Sequence, residues 1–132
     1  MNNQFTVTPE QALELKKAGV KQLSQYVFEK NGHEYIIRHR NKATDSKHNL
    51  AAFHVGELGA IIPWSFQLPY AGCKDENSET GMPSVWYDFS RNFEPYPTEA
   101  QARAALLLDI LAWTPFFLDH INQNIEQLFN NQ

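Results

Sequence analysis

The stretch of sequence that decides the fold runs from Thr98 to Trp113 and reads Thr-Glu-Ala-Gln-Ala-Arg-Ala-Ala-Leu-Leu-Leu-Asp-Ile-Leu-Ala-Trp. Thr98 and Gln101 have the Thr-x-x-Gln spacing of a capping box, which marks the beginning of a helix. From Ala104 onward the predicted helix is apolar on almost every side, so it must be buried against a sheet, another helix or a second subunit. The rest of the chain has to supply the surfaces that cover it.

The composition is that of one folded domain of ordinary size. The 132 residues are 42% hydrophobic and 20% charged, so the chain can form a core and is expected to fold as a single domain, residues 1–132. One cysteine excludes an intramolecular disulfide, and the first residues lack the charged-then-apolar pattern of a signal peptide. The longest apolar run, Ala104 to Leu108, is shorter than the ~20 residues that cross a bilayer. We therefore expect a soluble, cytoplasmic protein without a membrane partner.

Capping and turn signals predict a helix, a hairpin and a second helix in the first half of the chain. Thr8-Pro9-Glu10-Gln11 combines a capping box with proline in the first turn, which predicts a helix start. Asn31-Gly32 separates two strand-like runs, Ser24–Lys30 and His33–Arg40, and this dipeptide is the strongest short signal for a β-hairpin. Apolar residues at helical spacing predict a short helix over Ala52–Ile62, which the following proline ends.

The middle of the chain is predicted to contain strands separated by a long loop. Trp64–Tyr70 and the alternating run Ser84–Arg91 are predicted strands, whereas the polar segments Asn41–Asn49 and Ala71–Met82 are predicted loops. Together with the helices, this order predicts an α+β fold with a helical C-terminus. A small antiparallel sheet, made of the Asn-Gly hairpin and one or two further strands, is expected to pack against the helices.

The C-terminal segment, residues 114–130, is predicted to form an amphipathic helix. Thr114-Pro115 either kinks the preceding helix or ends it and caps a new one. An apolar stripe along the new helix, with polar residues opposite, is made of Phe117, Ile121, Ile125 and Leu128. This stripe either folds back onto the core of its own chain or pairs with its copy, and we favour the second alternative, a homodimer.

Three segments of the chain carry a resemblance to a family. They are Gln-Ala-Leu-Glu-Leu-Lys-Lys-Ala-Gly-Val at 11–20, Ala-Phe-His-Val-Gly-Glu-Leu-Gly at 52–59, and Thr-Glu-Ala-Gln-Ala-Arg-Ala at 98–104. The chain resembles small uncharacterised proteins of phages and prophages, whose members carry Ala-Phe-Thr-Val-x-Glu-Leu-Gly-x-x-Leu-Pro and a late Thr-Glu-Ala-Asp-Ala-Arg-Ala. It departs from them at His54, at Gln101 and in the added stretch after Trp113. The resemblance implies a mobile-element accessory protein and brings no catalytic residue with it.

Motifs that would assign an enzyme are absent from the sequence. It contains no Gly-x-Ser-x-Gly, no glycine-rich phosphate loop and no His-Glu-x-x-His. His33 and His39 share a strand face but stand roughly 20 Å apart along it, too far to bind one metal ion. We therefore expect no catalytic residue, no cofactor and no metal. A non-catalytic protein is favoured, and enzymatic activity remains the open alternative.

Positive charge is concentrated in one part of an otherwise acidic chain. The net charge is −4, but four basic residues and one acid between Arg38 and His48 give that segment a charge of 4 − 1 = +3. This segment is either a solvated edge strand or a site for phosphate or an acidic surface, because arginine grips phosphate bidentately. Aromatic residues later in the chain would stack a base beside it. The candidate ligand- or partner-binding residues are Arg38, Arg40, Lys42, Lys47, Trp64, Tyr70, Trp86 and Arg91.

Three functions follow as hypotheses. The first, which we favour, is a non-catalytic phage-type protein that occludes a host protein, as an anti-defence inhibitor does. The second is a protein that binds or sequesters a small phosphate-containing ligand, such as a nucleotide, between arginines and aromatic rings. The third, a nucleic-acid binder through the basic loop, is disfavoured because the chain is acidic overall.

Overall fold

Four α-helices and five strands form the part of the chain that the structure, a computed structural model, describes: residues 5–40, 49–62, 71–73, 86–88 and 94–130. The helices are α1 (Pro9–Lys17), α2 (Val55–Ile61), α3 (Glu99–Trp113) and α4 (Leu118–Phe129). The strands are β1 (Tyr26–Asn31), β2 (Glu34–His39), β3 (Ala71–Cys73), β4 (Trp86–Asp88) and β5 (Glu94–Tyr96). The predicted α+β class, with antiparallel pairing and a helical C-terminus, is confirmed.

The described strands belong to two separate antiparallel sheets rather than to one. β1 and β2 form a hairpin, and β3, β4 and β5 form a second sheet in that order. β4 lies inside the predicted strand Ser84–Arg91, but β3 begins a segment that we predicted as a loop, Ala71–Met82. That prediction was wrong at residues 71–73, because so short a strand is defined by its pairing with β4 and leaves no local pattern. The predicted strand Trp64–Tyr70 and the predicted loop residues 41–48 lie outside the described residues.

The hairpin is confirmed, but its turn stands one residue later than Asn31-Gly32 predicts. Asn31 is the last residue of β1 and pairs with Glu34, so Gly32 and His33 form the turn. Gly32 has φ +67°, a conformation that glycine adopts readily because it has no Cβ. β2 lies inside the predicted strand His33–Arg40.

Helix α3 lies in the core, as its apolar sequence predicts. It packs against α1, α2 and the second sheet. Its buried residues are Ala100, Ala102, Ala104, Ala105, Leu106, Leu107, Asp109, Ile110 and Leu111. Thr98 caps the helix by accepting a hydrogen bond from the backbone N–H of Gln101 at 3.1 Å. The reciprocal bond that completes a capping box forms at Thr8 but not at Thr98. The Gln101 carbonyl accepts from Gln11 Nε2 at 2.9 Å, which ties α1 to α3.

Helix α2 begins three residues later than predicted, because the preceding residues are held in an extended conformation. The Ala52 N–H donates to the Tyr26 carbonyl at 2.9 Å, and the Val7 N–H donates to the Phe53 carbonyl at 3.0 Å. Ala52 and Phe53 are thus hydrogen-bonded in an extended conformation to two different segments, and they cannot be helical at the same time. The pairing continues through His54, which bridges Thr6, to the Val55 N–H, which donates to the Phe5 carbonyl at 2.8 Å. The helix begins at Val55, and the side chain of His54 caps it.

Thr114 and Pro115 end α3 rather than kink it. The backbone N–H and the Oγ1 of Thr114 both donate to the Ile110 carbonyl, at 2.8 and 2.6 Å. Pro115 opens a short 3-10 turn, and the chain direction changes by 116° between α3 and the segment Pro115–Phe129. Within the described ranges no single helix is long and apolar enough to cross a membrane. The two segments reach that length and composition only when they are counted together across the bend.

Helix α4 folds back onto the core of its own chain. Ile121 and Ile125 are fully buried, and the helix packs against α2. Phe117 is half-buried and Leu128 is exposed. The apolar stripe of α4 is therefore mostly an internal contact, which is the fold-back alternative rather than the dimer contact that we favoured. Its two central isoleucines have no exposed surface to offer a second chain.

Candidate functional site

Two of the predicted cationic residues have described positions. Those outside the described part of the chain are Lys42, Lys47 and Arg91. Arg38 is exposed on β2 and forms an ion pair with Glu29 of β1. Arg40 follows β2 and is half-buried, and its N–H donates to the Gln25 carbonyl at 2.7 Å. The Nε of Arg40 is buried and has no hydrogen-bond partner among the described residues. The predicted anion site thus contains one arginine engaged by a carboxylate and one that is partly buried.

The predicted aromatic partners of these arginines are not described as a group. Trp64 and Tyr70 lie outside the described residues. Trp86 belongs to β4 in the second sheet and is described only through its backbone. Stacking of a base between these rings and the arginines therefore stays a prediction.

Other rings lie beside the hairpin instead. Tyr26 of β1 makes edge-to-face contacts with Phe5, His39 and His54, with ring centroids 5.4, 5.1 and 5.7 Å away. No local sequence pattern predicts this cluster, because its members come from four separate segments. It brings the beginning of α2 against the open end of the hairpin.

Glu57 is the centre of a buried polar cluster at the beginning of α2. Its carboxylate accepts hydrogen bonds from Ser24 Oγ at 2.6 Å, from the Gln25 N–H at 3.0 Å and from the His54 N–H at 3.0 Å. The side chain of Glu57 is 4% exposed. Glu57 caps α2 and is also buried, where Ser24 reaches it from 33 residues away in the sequence.

His54 completes this cluster as the N-cap of α2. Its Nδ1 accepts hydrogen bonds from the backbone N–H groups of Gly56 at 3.0 Å and Glu57 at 3.2 Å, so the ring proton must be on Nε2. Ser24, His54 and Glu57 are close together but do not form a nucleophile with its base. The Ser24 hydroxyl donates to Glu57, and His54 Nδ1 is occupied by the backbone. The cluster joins α2 to the segment before β1.

A small cavity opens beside the cluster. It has a volume of about 230 Å³ and is lined by Gln25, His54, Gly56, Glu57, Leu128 and Phe129. The carboxylate oxygens of Glu57 already accept three hydrogen bonds from within the chain, which leaves little capacity to hold a ligand. The described residues contain no group of three or more His, Cys, Asp or Glu that could hold a metal ion.

His54→Ala removes the cap of α2 and is expected to lower the free energy of unfolding by about 1 kcal/mol, the typical cost of a lost N-cap. His54→Thr is the matched control, because threonine followed three residues later by glutamate forms an ordinary capping box. It should retain most of the stability. Urea unfolding measures both midpoints. Equal losses for the two variants would show that His54 does not act as a cap.

The most exposed large apolar side chains of the described chain lie where α3 turns into α4. Trp113 is 67% exposed and Phe116 is 76% exposed, and we name these two residues the aromatic corner. Sequence reasoning missed them, because the apolar run of α3 predicts burial as far as Trp113. Burial ends at Leu111, and the bend at Thr114-Pro115 leaves the following rings in solvent. That dipeptide is the signal that could have located the corner.

The aromatic corner is supported by a fixed scaffold. The Phe116 ring stacks on Phe117 with centroids 5.1 Å apart. On α4, Asn122 donates through Nδ2 to the Gly19 carbonyl at 3.1 Å and accepts through Oδ1 from the Lys21 N–H at 2.9 Å. These bonds fix α4 against the end of α1. An apolar groove of about 240 Å³ lies at this junction, lined by Ala18, Leu108, Leu111, Ala112, Pro115 and Leu118.

Comparisons with known proteins assign no family. The chain matches no protein-family model, no curated protein and no solved structure. Function is therefore inferred from the described side chains. Among them, the aromatic corner is a feature that packing within the chain does not explain.

Proposed function

We propose that this chain is a non-catalytic binding protein whose aromatic corner docks onto a protein partner and occludes it. The observation that carries the proposal is the exposure of Trp113 and Phe116 at a fixed bend. Single exposed apolar residues are common, but two large exposed rings three residues apart, next in the chain to Ala112 and Pro115 of an apolar groove, are expected to form a patch, and such patches mark interaction sites. Tryptophan is also among the residues most enriched at binding hot spots.

Burial of the two rings would supply a large part of the energy of an interface. A large aromatic side chain buries ~150–250 Å², so rings as exposed as these gain roughly 3 kcal/mol each when a partner covers them. The bonds of Thr114 and Asn122 hold the corner in place before binding, so little conformational entropy is lost on association. The adjacent groove offers a partner's apolar side chain a place to insert.

The phage or prophage context, with a host protein as partner, rests on the resemblance. The resembling segments, 11–20, 52–59 and 98–104, contain most of α1 and the beginnings of α2 and α3, which form the scaffold. Phe116 stands in the added stretch after Trp113, where the chain departs from the family pattern, and Trp113 stands directly before that stretch. A shared scaffold would thus carry a target surface particular to this chain, as expected of an anti-defence inhibitor. The net charge of −4 favours a partner with a basic surface.

A small phosphate-containing ligand is the second candidate. In its favour, the buried Nε of Arg40 has no hydrogen-bond partner among the described residues. Against it, Arg38 is already paired with Glu29 and is exposed. A nucleotide that raises the melting temperature of the chain would favour this alternative, whereas the protein-binding proposal expects no such stabilisation.

Trp113→Ala and Phe116→Ala are each expected to weaken partner binding about 30-fold, because truncation at a hot spot costs ~2 kcal/mol or more. Affinity capture from host-cell lysates compares the wild-type chain, the double variant and Leu13→Ala. The last removes another exposed apolar side chain, on α1. We expect at least one host protein that the wild type and Leu13→Ala retain and the double variant loses. Melting temperatures should stay equal, because all three side chains are exposed. A partner retained by all three chains, or none above background, would contradict the proposal.

A further inference from the structure

One edge of β2 pairs with no other strand in the described part of the chain. The neighbouring β1 is covered on both sides. It pairs with β2 on one side, and on the other the Phe28 N–H donates to the Leu50 carbonyl at 2.8 Å and the Ala52 N–H donates to the Tyr26 carbonyl at 2.9 Å. Among the described residues, the hairpin therefore presents a single open edge, which belongs to β2.

The register shows which backbone groups point outward from this edge. The Arg40 N–H bonds to the Gln25 carbonyl at 2.7 Å, so even-numbered residues of β2 direct their N–H and C=O groups toward β1. The outward-pointing groups belong to Tyr35, Ile37 and His39. A six-residue edge without proline is a template for the addition of another strand.

The residue pattern of β2 is self-complementary when two copies of the strand run antiparallel. The strand reads Glu-Tyr-Ile-Ile-Arg-His, with an acid at its beginning, a base near its end and apolar residues between. Tyr35 is 43% exposed and Ile36 is 40% exposed. In an antiparallel pair centred on Ile36, each Glu34 stands opposite Arg38 of the other copy, and each Tyr35 stands opposite Ile37. Opposite charges and apolar pairs at directly facing positions stabilise a sheet.

We propose that two copies of this chain associate by antiparallel pairing of β2 with β2, centred on Ile36, to form a four-stranded sheet across a two-fold axis. Outward-pointing residues must face one another, so the centres that keep most of the strand paired are Ile36 and Ile37. A centre at Ile37 would place the exposed Ile36 opposite Arg38, an apolar residue against a charge. A centre at Ile36 places Arg38 between two carboxylates, Glu29 of its own chain and Glu34 of the second copy.

This interface shares no residue with the aromatic corner, so the inference does not rest on the proposed function. It also differs from the dimer that the sequence predicts through α4, whose isoleucines are buried within the chain. The occupant is a second copy because the edge supplies both halves of each charge pair.

Charge reversal tests the interface and its register. Glu34→Arg places arginine opposite Arg38, and Arg38→Glu places glutamate opposite Glu34, so each variant alone should self-associate at least tenfold more weakly than the wild type. In a 1:1 mixture of the two variants, every facing pair is again opposite in sign, and a heterodimer should form. Glu14→Arg is the matched control, because it reverses an exposed charge on α1 and should leave the dimer intact.

Sedimentation velocity over a concentration series measures all five samples against the 15.2 kDa mass of one chain. We expect a dimer for the wild type, Glu14→Arg and the mixture, and a monomer for Glu34→Arg or Arg38→Glu alone. Recovery in the mixture also shows that both variants are folded. A wild type that stays monomeric, single variants that dimerise like the wild type, or a mixture that stays monomeric would each overturn the proposal.

Discussion

Glu57→Ala is expected to lower the free energy of unfolding by about 3 kcal/mol, because it leaves one buried donor and two part-buried donors without their acceptor. The donors are the Ser24 hydroxyl and the backbone N–H groups of Gln25 and His54. Since a domain is usually stable by only ~5–15 kcal/mol, this single change should remove a large part of the stability. Equilibrium unfolding in urea, followed by circular dichroism, measures the loss.

Two controls separate the loss of the Glu57 hydrogen bonds from the effect of removing any carboxylate side chain. Glu57→Gln keeps the size of the side chain and one accepting oxygen, so it should lose less stability than Glu57→Ala. Glu14→Ala removes an exposed carboxylate from α1 and should change stability by no more than about 0.5 kcal/mol. If Glu57→Ala were as mild as Glu14→Ala, Glu57 would not be the residue that joins α2 to the segment before β1.

Ile125→Ala is expected to lower the free energy of unfolding by about 3 kcal/mol, within the range of ~2–5 kcal/mol for deletions of this size in a core. Ile125 is fully buried, and α4 packs against α2. The shortened side chain leaves a cavity that two packed helices close only in part. Urea unfolding of a sample kept monomeric by dilution measures the change.

Leu128→Ala is the matched control, since it lies on the same stripe of α4 but is exposed. It should cost less than about 1 kcal/mol, as surface changes do. If the stripe were instead a contact between copies, both variants would change the oligomeric state and neither would change the stability of the monomer.

Signals carried by neighbouring residues predicted much of the fold. The capping box at Thr8 and the apolar run of α3 need only residues within a few positions, and both marked real helices. The hairpin turn was displaced by one residue, because Asn31 and Gly32 both tolerate positive φ. Only the pairing of the strands decides which of them lies in the turn.

The rest of the fold depends on contacts between distant segments and therefore could not be predicted from local sequence patterns. The start of α2 depends on Ala52 and Phe53 being held extended by Tyr26 and Val7, and histidine is not a usual N-cap. The burial of Glu57 depends on a serine far away in the sequence. Neither relation leaves a pattern within one helix or strand.

The candidate site was the hardest part to predict. Charge and aromatic content pointed to Arg38, Arg40 and rings elsewhere in the chain, and the described structure engages Arg38 within the hairpin. The exposure of Trp113 depends on the 116° change of chain direction between α3 and the segment Pro115–Phe129. The amino-acid composition does not predict this angle. The sequence predicts burial for an apolar residue at the end of a buried helix. Whether that residue is exposed depends on the direction that the following segment takes.

The central claim, that the aromatic corner contacts a protein partner, is tested most directly by site-specific photo-crosslinking in host cells. The photoreactive analogue p-benzoylphenylalanine replaces Phe116 in one chain and Leu13 in another, and mass spectrometry identifies the adducts. We predict a discrete adduct with a host polypeptide from position 116 that is lost when Trp113→Ala is added and is absent from position 13. No adduct from position 116, or the same adducts from both positions, would contradict the claim.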